Sequence, residues 1–209
     1  MKLIAAGRAS EIFDLGGGRV LRRFRAGGDP EREALVMRHA HANGFPVPRV
    51  LDVATDALVL ERIDGPTMLA DVRRRPWRLR RYARALADLH ERLHAIEAPQ
   101  ELPEAGSGDR VLHLDLHPEN VILSRSGPIV VDWTNARRGD PALDIAMTWV
   151  IGATSGGPPG RVFVRMFLAH FDRAEIVRAL PAAAERRLAD VNVTDRERAR
   201  VRGLLDRAR

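Results

Sequence analysis

An α+β fold in two unequal parts is what the order of the hydrophobic patterns predicts. The first sixty residues read as short strands joined by turns with one helix inserted, and most of the chain beyond the Pro- and Gly-rich turns has helical spacing. A chain of 209 residues with 45% hydrophobic content can bury a core large enough for one domain, or for two small lobes sharing a cleft. A sheet carrying one helix, succeeded by helices, gives a small α+β lobe and then a helical lobe.

Residues 2–6, 11–15 and 19–24 are strand-like, and Gly16-Gly17-Gly18 supplies the positive φ that a hairpin between the last two requires. Asp29 suits a helix N-cap, Pro30 the first helical position, and Glu31 and Glu33 favour the positive end of the dipole; Asn43-Gly44 closes that helix. Two further strands are predicted over 47–51 and 57–60. From Trp77 to Ile96, the spacing of Leu79, Tyr82, Leu86, Leu89 and Leu93 predicts a long helix with one buried face. Residues 98–109 read as a loop, 111–114 and 129–131 as short apolar strands. After Pro141 the chain is helical again, interrupted by a flexible break over 154–160. No internal repeat is visible.

Composition narrows the function. The chain has no cysteine, which excludes disulfides, thiolate metal sites and cysteine nucleophiles. No apolar run approaches the roughly 18 residues that span a membrane, and the start is too short for a signal peptide, so a cytoplasmic protein without membrane contact is expected. The net charge is +6, but the arginines are mixed with acids and alanines rather than gathered with aromatics, so nucleic acid is not the expected partner. Lys2 is the only lysine.

The stretch that carries chemistry is His113-Leu114-Asp115-Leu116-His117-Pro118-Glu119-Asn120, then Ile129-Val130-Val131-Asp132-Trp133. Phosphoryl transfer needs a carboxylate to orient and deprotonate an acceptor hydroxyl, and oxygen ligands for the Mg²⁺ that neutralises the triphosphate. His-x-Asp-x-x-x-x-Asn, with a second Asp after an apolar strand, supplies both. The bland alternative is that Asp115 and Asn120 cap turns and Asp132 ends a strand. The stretch resembles the catalytic and metal-binding loops of the aminoglycoside phosphotransferase and choline kinase-like families, as does Gly139-Asp140-Pro141-Ala142-Leu143-Asp144 at the usual distance beyond.

That resemblance implies a protein-kinase-like, two-lobed phosphotransferase using ATP and Mg²⁺ on a small-molecule hydroxyl acceptor. It makes Asp115 the catalytic base and Asn120 and Asp132 the Mg²⁺ ligands, with His113 structural, Asp140 capping a helix and Asp144 bracing the loop. It divides the chain into an N-lobe over 1–60, a hinge over 61–65 and a helical C-lobe over 66–209. Gly7-Arg8-Ala9-Ser10 resembles the phosphate-covering loop, placing Gly7 and Ser10 at the nucleotide. Leu58 to Gly65 resembles the hinge, where the backbone of Glu61 and Ile63 meets adenine and Leu60 walls the pocket.

One departure matters. Kinases of this fold place a lysine on the third strand, paired with a helix glutamate, and this chain has none there. Val20-Leu21-Arg22-Arg23-Phe24 offers Arg22, with Glu33 its expected partner, a swap that is not conservative. It leaves two alternatives to the enzyme open, a nucleotide-binding pseudokinase that senses or scaffolds and a minimal protein kinase.

Two metal motifs compete. His90-Glu91-Arg92-Leu93-His94 fits the zinc-protease pattern H-E-x-x-H on a predicted helix, but His90 falls in the apolar stripe and no third ligand stands at a recognisable distance downstream. His113, Asp115 and His117 alternate, but two histidines make a poor zinc cage. On the acceptor side, residues 135–209 hold 14 arginines and 9 acids, so a polycationic aminoglycoside is not expected and a neutral or anionic alcohol, such as a sugar, is easier to accommodate. Those arginines can equally be solvated helix faces.

Overall fold

A computed structural model describes residues 1–7, 10–25, 28–190 and 193–208. Its N-terminal part is a five-stranded antiparallel sheet of β1 (Lys2–Ala6), β2 (Ser10–Gly16), β3 (Arg19–Phe24), β4 (Val50–Ala54) and β5 (Ala57–Glu61), in the order β1-β2-β3-β5-β4. The β2–β3 hairpin turns on Gly16, Gly17 and Gly18, whose φ values of 76°, 60° and 71° would strain any residue with a Cβ. Helix α1 (Pro30–Ala42) crosses from β3 to β4. Its N-cap is Asp29, which accepts from the Arg32 amide at 3.0 Å, and its C-cap is Asn43.

Strand β4 begins three residues later than the sequence predicts. Pro46 and Pro48 have no N–H to give a ladder, so the chain joins the sheet only beyond them. The preceding segment is tied elsewhere: Pro46 accepts from the Val130 amide at 2.8 Å, and Phe45 meets Trp133 edge to face at 5.6 Å. This stitches the sheet to the second half of the chain.

The remainder is helical with two small hairpin-like pairs. Helix α2 (Met68–Arg74) is absent from the sequence expectation, because seven residues are too few for a periodic signal; its N-cap is Thr67. A 3₁₀ turn over Pro76–Arg78 precedes α3 (Leu79–His94), which buries Leu86, Leu89 and Leu93 completely or nearly so. Strand β6 (Arg110–Leu112) pairs with β9 (Arg137–Gly139), and β7 (Val121–Ser124) with β8 (Gly127–Val130).

Helices α4 (Pro141–Ser155), α5 (Gly157–Leu168), α6 (Arg173–Ala189) and α7 (Asp195–Ala208) complete the chain. The break expected over 154–160 reduces to Gly156 between two helices. The glycines there permit close crossing rather than flexibility: a Cβ on Gly160 would lie 2.6 Å from the Gly152 carbonyl oxygen. Pro158 and Pro159 sit in the first turn of α5, where no intrahelical donor is needed. Among the described residues, no helix is long and apolar enough to cross a membrane.

Candidate active site

The loop after β6 is held by a single buried carboxylate. Asp144, on the first turn of α4 and wholly inaccessible, accepts from the Leu114 amide at 2.7 Å through Oδ1 and from the His113 amide at 2.9 Å through Oδ2. Oδ2 also lies 3.0 Å from His94 Nε2. Burial opposes the charge on Asp144, but the His94 hydrogen bond and the surrounding histidines outweigh it and hold the carboxyl far below its ordinary range. Leu114 is thereby kept at φ 60°, a left-handed conformation costly for a branched side chain.

That grip sets the path of the next residues. His113 is fully buried, faces Trp133 at 4.8 Å, and places Nε2 3.2 Å from the Val131 carbonyl oxygen while Nδ1 accepts from the Asp115 amide at 3.3 Å. Asn120 Nδ2 donates to the Asp115 carbonyl at 2.9 Å and to Asp115 Oδ2 at 3.0 Å. Its amide nitrogen is thus committed, leaving Oδ1 without a partner among the described residues. His117 Nε2 lies 3.5 Å from Asp115 Oδ1.

The second loop approaches from β8. Asp132 has φ 66°, and its Oδ1 lies 2.6 Å from Arg22 Nη2 and 3.1 Å from the Thr134 hydroxyl. Burial raises the Asp132 carboxyl, yet Arg22 outweighs it and holds the group below its ordinary value. The other oxygen, Oδ2, makes no hydrogen bond among the described residues. Arg22 spans two carboxylates, because Nη1 also meets Glu33 Oε1 at 2.8 Å. Glu33 in turn accepts from the Trp133 amide at 3.2 Å and lies 3.1 Å from the Thr134 hydroxyl. Burial and the neighbouring Asp132 raise the Glu33 carboxyl, with Arg22 opposing. Arg22 Nε is buried and has no hydrogen-bond partner among the described residues.

The structure therefore brings Asp115, Asn120 and Asp132 to one cavity of about 680 Å³, with the Arg22–Glu33 pair behind Asp132. Thr134, which no sequence motif marks, joins Arg22, Glu33 and Asp132; a hydroxyl two residues beyond the Asp is the signal the sequence offers for it. In the segment that the resemblance makes the hinge, Leu60 is buried and the Glu61 amide donates to the Arg49 carbonyl at 2.9 Å. The Ile63 amide and carbonyl make no hydrogen bond among the described residues. The Gly7 amide donates to the Ser10 carbonyl at 2.9 Å, and Ser10 opens β2; Arg8 and Ala9 of that loop lie outside the described residues.

The H-E-x-x-H pair does have a third neighbour, since His90, His94 and Asp144 place ligand atoms within 4.8 Å of one another. Asp144 lies fifty positions beyond His94, a distance no local motif would show. Its oxygens are occupied by the backbone amides of His113 and Leu114, and His90, driven down to about 3 by burial, is a neutral packed ring against Phe167. Although residues 135–209 are net basic, the cavity lining includes Asp115, Glu119, Asp132, Asp190 and Glu197 against Arg186 and Arg187.

The model of the phosphotransferase enzyme family matches residues 1–111 and 91–177. A 39-residue stretch is 44% identical to the thiamine kinases of Salmonella paratyphi B and Salmonella newport; it spans 19% of this chain and only 14% of theirs. The fold is similar to that of a thermostable mutant of aminoglycoside phosphotransferase APH(4)-Ia in ternary complex with AMP-PNP and hygromycin B. That likeness has a TM-score of 0.74 at 16% identity and covers 99% of this chain and 92% of the other. A choline/ethanolamine kinase family protein from Mesorhizobium loti is similar with a TM-score of 0.62 at 21% identity, covering 100% and 86%. Sheet, loops and helices thus have the protein-kinase-like arrangement, and the chain belongs to the phosphotransferase enzyme family.

Proposed function

We propose that this protein transfers the γ-phosphoryl group of ATP to a hydroxyl of a small molecule. The observation that carries the reading is the meeting of Asp115, Asn120 and Asp132, from two separate loops, on one cavity. Asp115 is the base: its carboxylate, steadied by Asn120, accepts the acceptor's hydroxyl proton as that oxygen attacks phosphorus, and ADP leaves with the electrons of the broken P–O bond. The unengaged oxygens, Asn120 Oδ1 and Asp132 Oδ2, are hard donors of the kind Mg²⁺ prefers, and the ion when bound would neutralise triphosphate charge.

At the hinge, the free amide and carbonyl of Ile63 suit the adenine edge, with Leu60 as an apolar wall and Glu61 beside it. Gly7 and Ser10 take the phosphate-covering position. Arg22, oriented by Glu33, is the cation for the phosphates, and reaching them requires its Nη2 to leave Asp132. A cavity of about 680 Å³ is the size of a small-molecule site, which favours a metabolite over a peptide as acceptor.

The test is Asp115→Ala, assayed with Mg-ATP against a panel of hydroxylated metabolites. Turnover should fall by about 10²- to 10⁴-fold, with Mg-ATP affinity by calorimetry nearly unchanged, since the base acts in the transition state. Undiminished turnover would refute the assignment. The 2.6 Å contact of Arg22 with Asp132 favours a second reading, a nucleotide-binding protein that does not turn over. Asp132-dependent nucleotide binding, with no transfer to any acceptor, would select it.

A further inference from the structure

A second cavity, of about 540 Å³, lies in the helical part against α4, α5 and α7, and its lining is of different character. Arg161, Arg165, Arg173, Arg200 and Arg207 surround it, and among the described residues no carboxylate lines it. The sequence spacing explains the convergence. Arg161 and Arg165 are four apart on α5, and Arg200 and Arg207 seven apart on α7, so each pair shares a helix face; Arg173 opens α6.

All five are exposed side chains that converge on one hollow. Among the described residues, none of the five has a carboxylate oxygen within 4.0 Å. Asp172 and Asp206, their neighbours in sequence, do not line the cavity. Five like charges around one hollow repel each other, and a bound anion is what relieves that repulsion.

The floor is apolar. Trp149, Val164 and Leu204 are buried there and Phe171 half-buried. Two of the arginines are held in place: Arg173 stacks over the Trp149 ring at 5.7 Å, and Arg200 donates to the Thr154 carbonyl at 2.6 Å. Guanidinium forks match phosphate oxygens in pairs, whereas an apolar floor has no use for inorganic phosphate alone. The volume suits a small ligand and is too small for a nucleic-acid duplex.

From these features we infer a second ligand site, which binds a phosphate monoester carrying an apolar body, independently of the proposed catalytic cavity. Its sign is the opposite of that cavity's, where carboxylates outnumber arginines.

Calorimetric titration of the full chain without magnesium tests this, with hexyl phosphate, AMP, inorganic phosphate and hexanol as probes. At least one ester should bind about tenfold or more tightly than both inorganic phosphate and hexanol, and whichever it is separates an alkyl from a nucleotide source. Arg165→Ser should weaken that binding about tenfold. Among the described residues the Arg165 side chain makes no hydrogen bond or ion pair, so the variant should keep its melting temperature. Asp132→Ala should leave this binding intact, which separates failure here from failure of the catalytic reading. Esters that bind no tighter than inorganic phosphate or hexanol, or affinity unchanged in both Arg165→Ser and Arg161→Ser, overturn the inference. Binding of a single-stranded oligonucleotide but of neither ester also overturns it, in favour of a nucleic-acid surface.

Discussion

Replacing Asp144 by Asn changes one atom of the side chain and should cost a large part of the stability. Asp144 is fully buried and its two oxygens receive three hydrogen bonds, from Leu114 N, His113 N and His94 Nε2. An amide has only one acceptor oxygen, so either orientation sets an NH₂ group against at least one backbone N–H. If the nitrogen replaces Oδ1, one bond is lost; if it replaces Oδ2, two. A hydrogen bond to a charged group contributes about 1.5–3 kcal/mol, and its loss leaves a buried donor unsatisfied. Breaking a buried ionic cluster by removing one partner costs about 3–5 kcal/mol, which we take as the expected loss. For a chain of this length that lowers the melting temperature by about 6–20 °C. Denaturant titration should show the loss as a lower midpoint, and turnover should fall with it, because Leu114 at φ 60° depends on this carboxylate. A stability change below about 1 kcal/mol, with turnover intact, would refute the claim that Asp144 holds the loop.

The other predictions concern charge. His90 is neutral in the fold with its pKa driven down to about 3, against 6.5 in the unfolded chain, so the unfolded state protonates first as pH falls. Stability should be fully present above about pH 6.5 and be lost steadily toward pH 3, by about 2 kcal/mol at pH 5; a denaturation midpoint equal at pH 7 and 5 would contradict this. Arg22→Met strands the buried Glu33 carboxylate and should cost about 3–5 kcal/mol, read by denaturant titration; a loss under about 1 kcal/mol would show that the ion pair contributes little to stability. Asp132→Ala should abolish Mg²⁺-dependent nucleotide binding in calorimetry, and titration curves matching the wild type would remove Asp132 from the metal site.

How much of the fold is legible in the sequence depends on the range of each signal. The hairpin glycines, the Asp29-Pro30 helix start and the leucine stripe of α3 are local, and each stands where the sequence puts it. Helix α2 and strands β7 and β9 are seven residues or fewer, too short for a period to show. The 154–160 segment misleads because glycine signals both flexibility and close packing, and only the α4–α5 crossing distinguishes them. Asp115, Asn120 and Asp132 stand out as a motif because the roles proposed for them require fixed spacing along two adjacent loops, and the three line one cavity. Thr134 is not, because its importance lies in Glu33, one hundred residues away, and Arg22, further still.

Arg22 shows why the absent lysine is more than a change of charge carrier. A lysine offers one nitrogen to whatever surrounds it, whereas this guanidinium gives Nη1 to Glu33 and Nη2 to Asp132 at the same time. One side chain on β3 thereby ties α1 to the loop after β8, joining the sheet to the helical part through a contact only 5% exposed. The same fork creates a competition. Asp132 Oδ1 is held by Arg22 and Thr134, so only Oδ2 is open to a cation, and a phosphate approaching Arg22 must displace the carboxylate from Nη2. Magnesium at Asp132 and phosphate at Arg22 would favour the same separation, because each gives one member of the pair a new partner of opposite charge. Nucleotide and metal binding should therefore be mutually reinforcing through this contact.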